Sequence, residues 1–160
     1  MSALILGGIV QQYVSGLCLD VGCGIVPTPS YMIDQDTVKF IGIDPDTRNT
    51  HRSFPYVCAI GECLPFKDNT FNGVLFASAI DHMIEPWAAV RESSRVLVNN
   101  GVLIIWYTNR IIDRTDDPNH KWQFNTSSIW SLVSNSNFVL VDDVHIEINS
   151  CERVLIARKE

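Results

Sequence analysis

One eight-residue segment, residues 17–24, limits the possible folds of this chain more than any other, and its sequence is LCLDVGCG. A short apolar run that ends in an acid and then Gly-x-Gly is typical of a buried strand followed by a tight turn. Glycine lacks Cβ and readily adopts positive φ, so a ligand can lie directly against the backbone of such a turn. A strand, a glycine loop and a following helix N-terminus together form a nucleotide-binding corner.

The spacing of the next residues narrows the choice of nucleotide. A dinucleotide fingerprint has Gly or Ala three residues after its second glycine, and here Pro27 stands at that position. A second apolar run ends at Asp44, 20 residues after Gly24. An acid at the tip of a neighbouring parallel strand can accept hydrogen bonds from both hydroxyls of a ribose. An acid at this spacing fits both NAD and an adenosyl cofactor.

Four segments in succession resemble the motifs of class I S-adenosylmethionine-dependent methyltransferases. They are LDVGCG at 19–24, GID at 42–44, GECLPFKDNTFNGVL at 61–75 and ESSRVLVNNGVLI at 92–104. The resemblance covers roughly residues 17–106. It implies a Rossmann-like fold, S-adenosyl-L-methionine as the cofactor and methyl transfer to a small-molecule acceptor, for instance a hydroxyl of a metabolite or surface-sugar precursor.

Composition favours one soluble globular domain over residues 1–160. The chain has 160 residues, 46% hydrophobic and 19% charged, which is near the commonest domain size and an ordinary composition. A net charge of −6 argues against a general nucleic-acid binder, because a basic surface is needed to displace counterions from phosphates. We therefore expect a small-molecule partner and no nucleic acid.

Targeting and metal signals are weak in this sequence. The apolar start, residues 2–14, has no basic region or small-residue cleavage site, so we predict a helix packed on the sheet and not a signal peptide. No apolar run reaches the roughly 18 residues of a membrane span. The five cysteines form no C-x-x-C pair, which suits free thiols in the cytoplasm and disfavours zinc, so we expect no metal.

Apolar runs and turn residues predict an α/β fold, a mostly parallel sheet of about seven strands with helices on both faces. The predicted parallel strands are residues 16–21, 38–43, 56–60, 71–77 and 102–107. A short helix is expected near Thr28 or Ser30, one from Glu85-Pro86 to the Asn-Asn-Gly at 99–101, and one capped by Thr126 or Ser127. The runs 138–146 and 153–158 are too close for a helical crossover, so they must pair antiparallel.

The resemblance implies a set of cofactor-binding positions. The acid of the first motif lies near the cofactor's amino group, the glycine turn approaches the cofactor with its backbone, the acid of the second motif binds the ribose, and the third motif surrounds the adenine. Backbone groups after the fourth strand face the methionine part. The residues are Asp20, Gly22, Cys23, Gly24, Asp44, Pro45, Glu62, Cys63, Ala77 and Ser78.

The acceptor side is expected at Asp81, His82 and His120, which we regard as the candidate catalytic residues. A hydroxyl acceptor needs a general base, for which a histidine with its usual pKa near 6.5 is suitable. Each has a plainer interpretation as well. Asp81 fits a helix cap, His82 a packed ring and His120 a loop residue.

Two departures from the family pattern leave other functions open. Val26 replaces a third glycine, and Pro27 and Pro29 shorten the helix that should face the cofactor. Little chain precedes the first strand, where many members of this family carry helices that close over cofactor and acceptor, so we expect an acceptor side that is open, absent, or completed by a homodimer or a partner subunit. The alternatives are a catalytically inactive cofactor-binding module with a regulatory or interaction role and an NAD-binding domain.

Overall fold

A single seven-stranded sheet organises the protein. The structure is a computed structural model that describes residues 2–48, 51–109, 120–146 and 151–160. The strands are β1 Gly16–Val21, β2 Val38–Ile43, β3 Tyr56–Val57, β4 Phe71–Ala77, β5 Leu97–Thr108, β6 Phe138–His145 and β7 Glu152–Lys159. Their order is β3-β2-β1-β4-β5-β7-β6, in which the first five are parallel and β7 runs antiparallel to β5 and β6. The predicted fold class is confirmed.

Three α-helices of the described chain cover both faces of the sheet: α1 Ser2–Tyr13, α2 Pro86–Val96 and α3 Thr126–Ser134. Successive strand residues point to opposite faces, and the two faces have separate apolar cores. Leu103 and Ile105 of β5 pack in the core under α2 and α3, whereas Val102 and Ile104 pack in the core under α1. Helices therefore lie on both faces, as predicted.

The first crossover is shorter than a helix of ordinary length. The expected helix near Thr28 or Ser30 is a single 3₁₀ turn, Ser30–Met32. Pro27 and Pro29 lack backbone N–H donors and restrict the residues before them to extended backbone, so a longer helix cannot start here. The side-chain amide of Gln35 then donates to the carbonyls of Gly7 and Tyr31, both at 3.1 Å, and ties this turn to α1.

Two predicted boundaries were wrong. The Asn-Asn-Gly at residues 99–101 does not end α2, because α2 ends at Val96 and β5 has already begun at Leu97. Leu97 pairs with Phe71, and the polar residues occupy a register shift before β5 rejoins β4 at Val102. In the second case β3 ends at Val57, and Ile60 forms an isolated bridge with Cys63.

The remaining predictions have mixed outcomes. Asn125 caps α3, accepting from the Ser128 N–H at 2.9 Å, so the expected cap at Thr126 or Ser127 was wrong by one or two residues. All five cysteines are free. Within the described ranges, no helix is long and apolar enough to cross a membrane.

Most of the polar loop before His120 (residues 110–119) and the turn between the last strands (residues 147–150) lie outside the described residues. That residues 1–160 form one domain stays a prediction.

Candidate active site

An open cleft of about 550 Å³ lies at the carboxyl ends of β1, β2 and β4. This is where open α/β sheets bind ligands, and the volume is in the range of small-molecule sites. Its lining residues come from the loops after β1, β2, β3 and β4 and from the loop before α3: Gly22, Asp44, Pro45, Asp46, Ala59, Ile60, Gly61, Glu62, Ser78, Ala79, His82, Met83, Ile84 and Lys121.

The turn after β1 leaves no room for side chains on its cleft side. Gly22 has φ 77°, and a Cβ at this position would lie 2.6 Å from the Cβ of Ala79. The N–H groups of Gly22 and Cys23 both donate to the carbonyl of Ile43, at 2.9 and 3.0 Å. These bonds hold the turn against the end of β2. The backbone is therefore exposed to a ligand where the sequence predicted it.

Each carboxylate oxygen of Asp44 is fixed by a hydrogen bond from the backbone. Its Oδ2 accepts from the N–H of Gly24 at 2.9 Å, and its Oδ1 accepts from the N–H of Asp46 at 2.7 Å. Each carboxylate oxygen can accept a second hydrogen bond. Asp44 lines the cleft, so it can receive two hydroxyl groups of a ribose without moving.

Asp20 lies beneath the glycine turn and is fully buried. The Tyr31 hydroxyl donates to its Oδ2 at 2.8 Å, while its buried Oδ1 has no hydrogen-bond partner within the described part of the chain. Burial raises the pKa of this carboxyl to about 7, against the lowering effect of the Tyr31 hydrogen bond. Such a buried carboxylate oxygen favours a cationic ligand group that lies on the other side of the glycine turn.

Glu62 lines the cleft and also supports the start of α2. Its Oε1 accepts from the N–H groups of Ile84 and Glu85, at 2.7 and 3.2 Å. A carboxylate near the first turn of a helix is favourable because the N-terminal N–H groups carry partial positive charge. Glu62 therefore reaches the cleft with its position already fixed.

The other predicted cofactor residues divide into two groups. Pro45 and Ser78 line the cleft, and Ser78 has φ 57°, an unusual conformation for a residue with a Cβ. Asp20, Cys23, Gly24, Cys63 and Ala77 are not among the lining residues. Cys23 is buried beside Gly42, and Ala77 packs on the core under α1. For all of these residues, a contact with the cofactor stays a prediction.

The structure brings together the three residues predicted for the acceptor side. The 3₁₀ turn Ile80–His82 follows β4, and its Asp81 carbonyl accepts from the N–H groups of Lys121 and Trp122, at 2.9 and 3.1 Å. His120 is therefore held next to Asp81, with His120 Nε2 3.6 Å from Asp81 Oδ2. On the other side, His82 Nε2 is 3.8 Å from Asp81 Oδ1.

Several lining residues were not predicted from the sequence. Met83, Ile84 and Lys121 enter the cleft because the loop before α3 crosses the loop after β4. Trp122 fixes that crossing, since its Nε1 donates to the Met83 carbonyl at 3.0 Å and its ring packs edge-on against Trp87. A tryptophan in an otherwise polar loop was the available signal for this contact.

Comparison with known proteins agrees with this geometry. Residues 19–105, more than half of the chain, match the family described as "Methyltransferase domain". An uncharacterized methyltransferase of Mycobacterium leprae is 31% identical over 103 residues, which cover 59% of this chain and 38% of that protein. The chain thus matches well under half the length of this curated relative.

Solved structures share the fold. The [4+2]-cyclase SpnF has a TM-score of 0.79 at 19% identity, covering 97% of this chain and 80% of SpnF. The 1,6-didemethyltoxoflavin N1-methyltransferase of Burkholderia thailandensis, solved with S-adenosylhomocysteine, has a TM-score of 0.77 at 16% identity, covering 99% and 78%.

The fold and cleft are those of class I S-adenosylmethionine-dependent methyltransferases, and the chain belongs to the methyltransferase domain family. Its cofactor is S-adenosyl-L-methionine. The residues present fit this molecule, because the cleft offers a side-chain-free turn at Gly22 and a two-oxygen acceptor at Asp44, and the buried carboxyl of Asp20 lies beneath that turn.

Proposed function

We propose that this protein transfers a methyl group from S-adenosyl-L-methionine to a hydroxyl of a small molecule, such as a metabolite or surface-sugar precursor. The observation that carries the proposal is the composition of the cleft. Gly22, Asp44 and Glu62 line the part suited to the cofactor, and His82 lines the same cleft after β4. One side of the cleft can thus bind the cofactor and the other the acceptor.

When bound, the cofactor supplies a methyl group already activated by its sulfonium sulfur. The residues of the chain have the task of positioning. Asp44 accepts hydrogen bonds from the ribose, Asp20 favours a positive charge above the turn, and Glu62 faces the adenine. Ile60 and Met83 exclude water from the middle of the cleft.

The acceptor hydroxyl is placed beside Asp81, His82 and His120. The cofactor would supply the methyl group to the oxygen of this hydroxyl, and the hydroxyl proton would have to leave to a base or to water. A ring nitrogen of His82 or His120 can take up this proton or bind a metal ion, but the same nitrogen atom cannot do both. That His82 acts as the general base stays a prediction.

The acceptor-side role of His82 can be tested with a screen of hydroxyl-bearing small molecules in which S-adenosylhomocysteine formation is measured. With an acceptor found, His82→Ala should lower kcat about 10²-fold or more and leave cofactor affinity unchanged, because only the acceptor side is altered. His145→Ala, on β6, is the matched control and should keep wild-type turnover. Wild-type turnover in His82→Ala would contradict the role, and loss of cofactor binding would move His82 to the cofactor side.

A catalytically inactive cofactor-binding module is the second candidate. The likeness to SpnF favours keeping it, since that protein is described as a cyclase and the fold therefore does not require methyl transfer. Cofactor binding without turnover of any acceptor in the screen would support this function.

The setting of the protein is part of the proposal. Three exposed free thiols, Cys58, Cys63 and Cys151, suit the reducing cytoplasm. Ile84 and Trp87 are 64% and 41% exposed beside the cleft. Such an apolar rim is suited to a second copy or a partner subunit that completes the acceptor side.

A further inference from the structure

Two histidines and one aspartate meet at the edge of the cleft in an arrangement that resembles a metal site. One ligand atom from each of Asp81, His82 and His120 lies within 4.8 Å of the other two. The two carboxylate oxygens face different rings, Oδ1 towards His82 Nε2 at 3.8 Å and Oδ2 towards His120 Nε2 at 3.6 Å. Two atoms bound to one ion at about 2.1 Å each lie about 3 to 4 Å apart. The two separations between the carboxylate oxygens and the imidazole nitrogens are in this range.

Hydrogen bonding within the cluster does not explain these positions. Separations of 3.6 and 3.8 Å exceed hydrogen-bond length, so neither ring is bonded to the carboxylate. Among the residues that the structure describes, buried Asp81 Oδ1 has no hydrogen-bond partner. Buried polar atoms without a partner are rare and costly, and a cation beside Asp81 would satisfy this oxygen.

The backbone holds this cluster in place without help from an ion. Asp81 and His82 follow the buried Ile80 in the 3₁₀ turn after β4. His120 lies 38 positions further along the chain and is held there by the two backbone hydrogen bonds to the Asp81 carbonyl described above. The side chains of Asp81 and His120 are 17% and 16% exposed, so their rotamers are restricted by packing, while His82 is 38% exposed and faces the opening.

We propose that Asp81, His82 and His120 bind one divalent first-row cation, of the Mn²⁺ or Zn²⁺ type, at the acceptor end of the cleft. Two imidazoles and one carboxylate suit such ions, and three protein ligands leave positions open for water or substrate. An acceptor hydroxyl bound there would have a lowered pKa and release its proton to water. This last role rests on the proposed function, whereas cation binding does not.

The sequence predicts Asp81, His82 and His120 on the acceptor side and not as metal ligands, because the expectation of no metal is based on thiolate patterns. A zinc site of cysteines is visible as C-x-x-C spacing, but this ligand set is assembled by a contact between two distant loops. The exposed thiols make Zn²⁺ alone an ambiguous probe. Mn²⁺ prefers oxygen and nitrogen ligands and avoids that ambiguity.

The test is a titration of chelator-treated protein with Mn²⁺, without cofactor or acceptor, in which free Mn²⁺ is followed by electron paramagnetic resonance. The wild-type chain should bind one Mn²⁺, and Zn²⁺ should displace it. Asp81→Asn and His120→Ala should each weaken binding at least tenfold. His145→Ala, which removes a histidine from β6, should leave it unchanged. Circular dichroism shows whether each variant is folded, and His120→Asn is a second variant of similar volume.

The outcomes separate this inference from the proposed function. Absence of saturable one-to-one binding by the wild type, or binding that folded Asp81→Asn and His120→Asn leave unchanged, would overturn the metal site. S-adenosylhomocysteine binding is measured on the same samples. If the homocysteine derivative binds and Mn²⁺ does not, the inference fails while the proposed function stands. If only Mn²⁺ binds, the inference stands while the proposed function fails.

Discussion

Asp20 makes the stability of this protein depend on pH. Its pKa is raised to about 7 by burial, above the ordinary value of 3.8 that it has in the unfolded chain. Folding therefore favours the protonated form of Asp20. The stabilising contribution of this carboxyl to the free energy of unfolding is complete below about pH 4. As pH rises from 4 to 7 the unfolded chain ionises first, so stability falls on the order of a few kcal/mol, and above pH 7 it levels off.

Asp20→Asn should remove this dependence, because an amide of the same shape does not ionise. Its carbonyl oxygen can still accept from the Tyr31 hydroxyl. The free energy of unfolding, measured with urea at pH 5 and pH 8, should rise for Asp20→Asn relative to wild type as pH increases. Tyr13, on the opposite side of the molecule from the glycine turn, offers a control in Tyr13→Phe, which should keep the wild-type profile. Equal profiles for wild type and Asp20→Asn would show that the carboxyl is not perturbed as described.

Single residues differ in how well the sequence predicted their surroundings. Gly22 and Asp44 were placed correctly in the cleft because a strand end and a turn are encoded locally. The bond from Tyr31 to Asp20 and the position of Lys121 were not predicted, since each depends on a contact between loops distant in sequence. An apolar residue near the start of α2 is expected to face the sheet, whereas Trp87 is 41% exposed and packs on Trp122.

The turn after β1 offers a matched pair of substitutions. Gly22 and Gly24 both have positive φ, at 77° and 67°, so an alanine at either position costs conformational free energy of about 1 kcal/mol. Only at Gly22 would the new Cβ also collide, at 2.6 Å from Ala79, while nothing lies within 4 Å at Gly24. Gly22→Ala should therefore destabilise the protein more and weaken cofactor binding.

Thermal unfolding and calorimetric titration with S-adenosylhomocysteine measure the two effects. Gly24→Ala is the control for strain without collision, and it should bind the ligand close to wild type because Gly24 does not line the cleft. Equal losses of stability and affinity in the two variants would mean that the collision with Ala79 is relieved and that the turn is not the approach surface.

Strands β1, β2 and β4 were predicted with their observed ends, since each is a continuous apolar run bounded by turn residues. Prediction failed where packing decides the boundary. The Asn-Asn-Gly before Val102 resembles a helix end. However, Leu97 is fully buried and pairs with Phe71 of β4, so β5 begins before these polar residues. The edge strand β3 pairs only with β2 in the described sheet, over two residues, so few ladder hydrogen bonds stabilise a longer strand.

At the scale of the molecule, the described ranges form one sheet with a cleft at the ends of its parallel strands, and the full sequence has a net charge of −6. The strand order could be anticipated only through the resemblance, because residue patterns predict strands and not their neighbours. The residues of the acceptor end were predicted, but the contact that brings them together was not, since it forms where two distant loops meet at Asp81 and Trp122.

A calorimetric titration of the intact chain with S-adenosylhomocysteine and, separately, with NAD tests the central claim, that the cleft is an S-adenosylmethionine site organised by Asp44. S-adenosylhomocysteine should bind one per chain, and NAD should give no saturable heat. Asp44→Ala should weaken binding at least about tenfold, since hydrogen bonds to a charged group contribute roughly 1.5–3 kcal/mol each. The exposed Asp36→Ala should bind like wild type. NAD binding without S-adenosylhomocysteine binding, or wild-type affinity in folded Asp44→Ala, would contradict the account.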